Sequence, residues 1–270
     1  MMGGAMVELS SAPELFAALA RAETIDLHAY TLHGPVLGAL EAAASRGARV
    51  SAELEGSPHD DPGGALAREN RRIAAELRAA GVDATLGDGV HAKSIVADGT
   101  LFLDDRNFNT SDIVLRDDDP ADAATIPMLK HAALAAEAGL LRAARRDDGV
   151  IVASESFGCC NSVYGALDAL ARRGGAPRLV VCERELRGNA REREVLRALV
   201  RDGVRVRAGR DTDKVAASGD RVWIGSANAT VAFDRADLPD WGLCSEDSAI
   251  VGAVRDRVES EWTRAKPLVL

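Results

Sequence analysis

Aromatic side chains make up only 4% of this 270-residue sequence, so its core must be built mainly from Ala, Leu and Val. No run of roughly eighteen apolar residues occurs, so no membrane-spanning helix is expected. The stretch from Met1 to Ser11 lacks the basic start and long apolar segment of a secretory signal. Together these absences predict a cytoplasmic location. Positive charge is also in deficit. A net charge of −9 argues against broad electrostatic attraction to nucleic acid or to an anionic membrane surface, although a local basic groove remains compatible with it. The four cysteines, Cys159, Cys160, Cys182 and Cys244, show no CxxC spacing. That pattern suits neither a structural zinc site nor a disulfide framework, and a reducing compartment is the default.

What is present is ordinary for a globular chain: 47% apolar and 28% charged residues. The length suits one large domain or two of about 135 residues. Helical and extended patterns alternate. Pro13 to Ala22 reads as a helix and Ile25 to Leu32 as a strand. Val36 to Ser45 is a helix, Ala48 to Leu54 a strand, Ala65 to Ala80 a helix and Val82 to Leu86 a strand. Gly56 to Gly64, with its prolines and glycines, is a loop. A long helix is predicted from Pro127 to Arg146. The order then recurs: strand Val150 to Phe157, helix Val163 to Arg173, strand Leu179 to Glu183, helix Ala190 to Arg201, strand Val204 to Ala208. A repeat of about 120 residues is too long for a solenoid and indicates two similar halves. The expected architecture is α/β, with two αβα lobes carrying mixed sheets and related by a pseudo-two-fold axis. The expected boundaries are 1–126 for the first lobe, 127–149 for a connector helix and 150–270 for the second lobe.

The chemistry-bearing residues follow the same repeat. His91 and Lys93 stand two apart on a segment read as extended, so their side chains share a face. This places a nucleophile or proton carrier beside a fixed positive charge, a pairing suited to a phosphate ester. Asp98 and Asn107 follow. Lys93 and Lys214 are 121 residues apart, and each is followed fourteen residues later by an asparagine, Asn107 and Asn228. The same offset pairs Asp104-Asp105 with Gly225-Ser226 and His91 with Thr212.

These residues resemble the phospholipase D superfamily, which carries two copies of His-x-Lys-x4-Asp followed by Gly-Ser/Thr-x-Asn. The matches are His91-Ala92-Lys93, Asp98 and Asn107 in one half, and Lys214 and Gly225-Ser226-Ala227-Asn228 in the other. A last helix containing Trp262 adds to the likeness. The resemblance implies one site on the pseudo-dyad, where a histidine attacks phosphorus to form a covalent phosphohistidine. By position His91 is that nucleophile. Lys93, Asn107, Lys214 and Asn228 form the phosphate clamp, and Ser226 adds a hydroxyl donor. Asp112 occupies a position where the family often has an acid that orients the histidine, with Asp240 its counterpart. The implied activity is that of a phosphoric diester hydrolase or phosphatidyl-type transferase. It needs no metal or other cofactor, and it acts on a lipid, nucleic-acid or small-molecule phosphodiester. A monomer is expected.

The sequence also departs from that pattern. Thr212 stands where the second histidine belongs, and threonine does not titrate near neutrality. Candidates for the missing acid are Asp211, Asp213 and Glu155. The alternative is a catalytically degenerate protein that binds phosphate or a phosphodiester without turnover. Asp104 and Asp105 bring carboxylates towards an anion site, with Arg106 adjacent as a partner. A divalent cation there is disfavoured because no histidine or third carboxylate stands at suitable spacing. Asp98 is read as tying down its own turn. His28 is read as a satisfied core or edge histidine, His33 and His59 as solvated loop residues, and His131 as surface. The nine arginines between Arg184 and Arg210 are read as a solvated helix face, the alternative being an edge that attracts a phosphodiester polyanion.

Overall fold

A computed structural model describes residues 7–109, 112–119, 129–210, 212–230 and 238–268. The chain divides into two units: Met1–Met128 with Leu238–Asp240, and Leu129–Asp237 with Trp241–Leu270. Asp211 and the first residues of the expected connector helix lie outside the described residues.

In the first unit, strands β1 (Glu8–Ser10), β2 (Thr24–Ala29), β3 (Arg49–Glu55), β4 (Asp83–Gly87), β5 (Ser94–Ala97), β6 (Thr100–Asp104) and β7 (Val114–Asp117) form one sheet. Their order is β1-β7-β6-β5-β2-β3-β4. Strands β2, β3 and β4 run parallel, and β5, β6 and β7 add antiparallel. Alternation explains β2: Ile25, Leu27 and Ala29 are buried while the residues between them face outwards. Helices α1 (Ala12–Arg21), α2 (Gly34–Ser45) and α3 (Ala65–Ala79) complete the unit. Helix α1 starts where the Ser11 N–H and hydroxyl both donate to the Glu14 carboxylate, at 2.7 and 2.8 Å. Helix α3 buries Ala67, Asn70, Ile73, Ala74 and Leu77, which recur at helical spacing on one face.

Asn70 is the polar member of that face, and its amide is fully used. Nδ2 donates to the carbonyls of Tyr30 and Glu55, both at 2.8 Å, and Oδ1 accepts from the Thr31 hydroxyl at 2.8 Å. A buried amide without such partners would be costly. Here it fixes the ends of β2 and β3, from which Tyr30 and the following loop emerge.

In the second unit, β8 (Ile151–Ser154), β9 (Arg178–Cys182), β10 (Arg205–Gly209), β11 (Val215–Ser218), β12 (Arg221–Gly225), β13 (Gly242–Ser245) and β14 (Lys266–Pro267) form the other sheet. Its order is β13-β12-β11-β8-β9-β10-β14. Strands β8, β9 and β10 are parallel, and β11, β12 and β13 add antiparallel. Six strands of each sheet therefore share one order and one pattern of directions. Each sheet then gains one extra antiparallel strand, β1 beside β7 and β14 beside β10. Helices α4 (Lys130–Ala143), α5 (Ser162–Arg172), α6 (Glu183–Leu186), α7 (Ala190–Arg201) and α8 (Ser248–Arg264) cover it. Helix α4, expected as a connector, packs on α5 and β13 and belongs to the second unit. None of the helices is long and apolar enough to cross a membrane among the described residues.

Candidate functional site

In the first unit, Gly89 turns the chain with a φ of +77° and leads into His91. Lys93 precedes β5, and its side chain is buried. A buried ammonium needs partners. Lys93 Nζ donates to the His91 carbonyl at 2.5 Å and lies 3.9 Å from Asp240 Oδ1. Asp240 has no solvent exposure, and its Oδ1 is 2.7 Å from His91 Nδ1. This contact is shorter than the 3.2 Å from Lys93 Nζ to the same ring nitrogen. The shorter contact makes Asp240 the partner of Nδ1–H, which donates to the carboxylate. Of the two acids marked as possible orienters, Asp240 is the one that meets the imidazole. Tyr30 packs edge-on to His91 with ring centroids 5.1 Å apart, and Lys93 Nζ lies 5.8 Å from the Tyr30 ring centre. Tyr30 was not legible in the sequence, because one tyrosine in a strand-like stretch carries no motif.

Asp112 is engaged elsewhere. Its Oδ1 takes Arg106 Nη2 at 2.5 Å, and its Oδ2 accepts from the Asn109 N–H at 2.6 Å and the Asn107 N–H at 3.3 Å. Arg106 Nε also lies 3.9 Å from Asp105, so the arginine serves Asp112 more closely than its sequence neighbours. Asp104, Asp105 and Asp112 bring one oxygen each within 4.8 Å of one another. A third carboxylate thus does join the pair, contrary to the expectation from spacing. The counter-charge in that cluster comes from Arg106. Burial, with Asp112 and Asp105 adding, pushes the Asp104 carboxyl well above its usual range.

The two aspartates fill backbone positions that Gly-Ser fills in the second unit. The Asp104 N–H donates to the Lys93 carbonyl at 2.9 Å, and the Gly225 N–H to the Lys214 carbonyl at 3.1 Å. Asp105 Oδ1 accepts from the Ile113 N–H at 2.9 Å, and Ser226 Oγ accepts from the Trp241 N–H at 3.1 Å. A Cβ on Gly225 would stand 2.5 Å from both the Trp223 ring and the Trp241 carbonyl. The first-unit counterpart of Trp223 at the 121-residue offset is Phe102, whose smaller ring lacks the atoms that would clash. Asp98 holds its own turn: its carboxylate accepts from the Thr24 N–H at 2.8 Å and the Thr24 hydroxyl at 2.9 Å.

In the second unit, Lys214 is buried, with Glu155 Oε2 at 3.4 Å. Asn228 Oδ1 accepts from the Ser156 N–H at 3.2 Å. Burial alone would raise the Glu155 carboxyl, but Lys214, Arg184 and Asn228 outweigh it and hold the group below its usual range. Glu155 is therefore a counter-ion for Lys214 and is poorly suited to donate a proton. Asp213 is taken by the Arg257 guanidinium, whose Nη2 lies 2.8 Å from Oδ1. Ser226 is buried, and its hydroxyl oxygen holds the Trp241 N–H. Thr212 is buried, and its Oγ1 makes no hydrogen bond among the described residues. In the arginine-rich stretch, Arg184, Arg187 and Arg197 pair with Glu155, Glu183 and Glu194.

No protein-family model matches the chain, and no curated protein matches it. Solved structures do. Phosphatidylserine synthase from Haemophilus influenzae Rd KW20 superposes with a TM-score of 0.67 at 10% identity, over 98% of this chain and 89% of that one. Polyphosphate kinase from Porphyromonas gingivalis gives 0.59 at 15% identity, over 96% of this chain and 47% of that one. Both are phospholipase D superfamily members. This chain has the phospholipase D fold. It spans about half the length of the polyphosphate kinase. Within the phospholipase D fold, the strand that follows His91-Ala92-Lys93 and the strand that follows Lys214 are the same strand of their respective sheets, β5 and β11.

Proposed function

We propose that this chain is a phospholipase D-like phosphodiesterase, acting through a covalent phosphohistidine at His91. One observation carries the reading: a partly exposed imidazole whose Nδ1 is fixed by a fully buried carboxylate, with a buried lysine alongside. That arrangement leaves Nε2 as a nucleophile. In the proposed reaction Nε2 attacks phosphorus, the P–O bond to the leaving alcohol breaks, and Asp240 stabilises the imidazole as it becomes positive. Water, or an acceptor alcohol, then displaces the histidine. Lys93 and Asn107, with Lys214 and Asn228, hold the phosphoryl oxygens and offset charge in the transition state. The substrate class is phosphodiesters, whether of a lipid, a nucleic acid or a small molecule.

The second reading is a phosphate-binding protein without turnover, favoured by Thr212 at the second histidine position. Hydrolysis of bis-p-nitrophenyl phosphate separates the two. The enzyme reading expects release of p-nitrophenol by the wild type and its loss in His91→Ala. Phosphate binding without any hydrolysis would leave the second reading standing.

A further inference from the structure

Among the described residues, the acids named from the sequence offer no proton donor for the leaving group. Thr212 does not titrate, Asp213 is held by Arg257, and Glu155 is held ionised by Lys214. Asp240 already accepts from His91. The chain has five histidines. His28 is clasped by Asp26 at 3.3 Å and Glu53 at 3.1 Å. His33 sits at the start of α2, and His131 lies on α4 of the other unit.

His59 is placed differently. Its ring stands edge-on to Tyr30 at 5.8 Å between centroids, so His59 and His91 flank the same phenol. Its backbone N–H donates to the Tyr30 hydroxyl at 3.1 Å. Its φ is +56°, a left-handed conformation that costs a non-glycine residue energy and persists only where surroundings impose it. The loop that carries it is also tied to the turn before His91: the Gly56 N–H donates to the Gly87 carbonyl at 2.7 Å, and a Cβ on Gly56 would come within 2.9 Å of that oxygen. His59 is exposed, as expected of a loop residue, but it is fixed against the ring that buttresses His91.

Building on the phosphodiesterase reading, we infer that His59 supplies the imidazole that Thr212 has lost, as the acid and then the base of the reaction. As His91 Nε2 bonds to phosphorus and the P–O bond breaks, protonated His59 gives its proton to the departing alkoxide and becomes neutral. In the second half, neutral His59 takes a proton from water as the water oxygen bonds to phosphorus. The N–P bond then breaks, His91 is freed, and His59 is protonated again.

The test is single-turnover release of the phenol from two diaryl phosphates, bis-p-nitrophenyl phosphate and diphenyl phosphate. p-Nitrophenolate leaves without a proton, whereas phenolate needs one. The variant is His59→Asn, because asparagine tolerates the left-handed backbone and does not titrate. We expect p-nitrophenol release in the first turnover to stay within about threefold of wild type, and phenol release to fall on the order of 100-fold, the usual scale of general acid catalysis. Equal losses on both substrates, or no loss on either, would overturn the role of His59 while leaving the phosphodiesterase reading intact. A wild type that releases neither phenol removes both.

Discussion

Asp240→Asn removes one charge from the first unit and little else. The carboxylate has no exposure, and its Oδ1 sits 2.7 Å from His91 Nδ1 and 3.9 Å from Lys93 Nζ. A hydrogen bond to a charged group contributes roughly 1.5–3 kcal/mol and a neutral one about 1 kcal/mol. As the imidazole becomes positive during attack, the variant therefore loses about 1–2 kcal/mol, or roughly 5–30-fold in kcat. The second contact acts in the opposite direction. At 3.9 Å and an effective dielectric near 20, the attraction between Lys93 and Asp240 is about 4 kcal/mol. Without it, more of the lysine's charge is available to an anion. Inhibition by inorganic phosphate should thus be unchanged or tighter while kcat falls. Turnover of bis-p-nitrophenyl phosphate gives the first quantity, and phosphate competition gives the second. Nitrogen-15 spectra of the histidines report the tautomer directly, with the wild-type proton on Nδ1. An unchanged kcat, or equal losses in kcat and phosphate affinity, would refute the assignment of Asp240 as the group that orients His91.

Lys214→Met should weaken inhibition by inorganic phosphate about tenfold or more, since a buried charge at the proposed clamp is lost; inhibition constants check this. Gly225→Ala should destabilise the chain by about 1–3 kcal/mol in denaturant titration, because the new Cβ meets the Trp223 ring and the Trp241 carbonyl at 2.5 Å. Glu137 gives a pH signature. Burial raises its carboxyl from an ordinary 4.5 to about 8, so between those values the folded chain keeps a proton that the unfolded chain has released. Stability should then fall as pH rises through that window and level off above it, by roughly 4 kcal/mol between pH 5 and pH 9. Glu137→Gln should remove that part of the pH dependence in melts across the range.

The repeat was legible because it is written twice. Lys93 and Lys214, each with an asparagine fourteen residues on, marked two similar halves, and six strands in each sheet follow one order. Contacts far apart in sequence were not legible. Asp240 reaches His91 across 149 positions, and Asp112, the more obvious candidate beside Asn107, is drawn instead to Arg106. Asp104-Asp105 looked like damage to an anion site. Their carboxylates are in fact backbone caps: Asp104 accepts from the Phe108 N–H at 2.9 Å, and Asp105 from the Ile113 N–H at 2.9 Å. Glu155 was a candidate for the missing acid, but three polar neighbours reverse the effect of burial on its carboxyl. His59 and Tyr30 carry no motif, and their contact depends on the loop geometry that follows β3.

Trapping the intermediate tests the central claim most directly. The wild type is mixed with bis-p-nitrophenyl phosphate, quenched in alkali, where phosphohistidine survives, and mapped by peptide mass spectrometry. The account predicts a phosphoryl adduct on the peptide containing His91, absent from His91→Ala. An adduct on any other residue, or turnover that persists in His91→Ala, would contradict it.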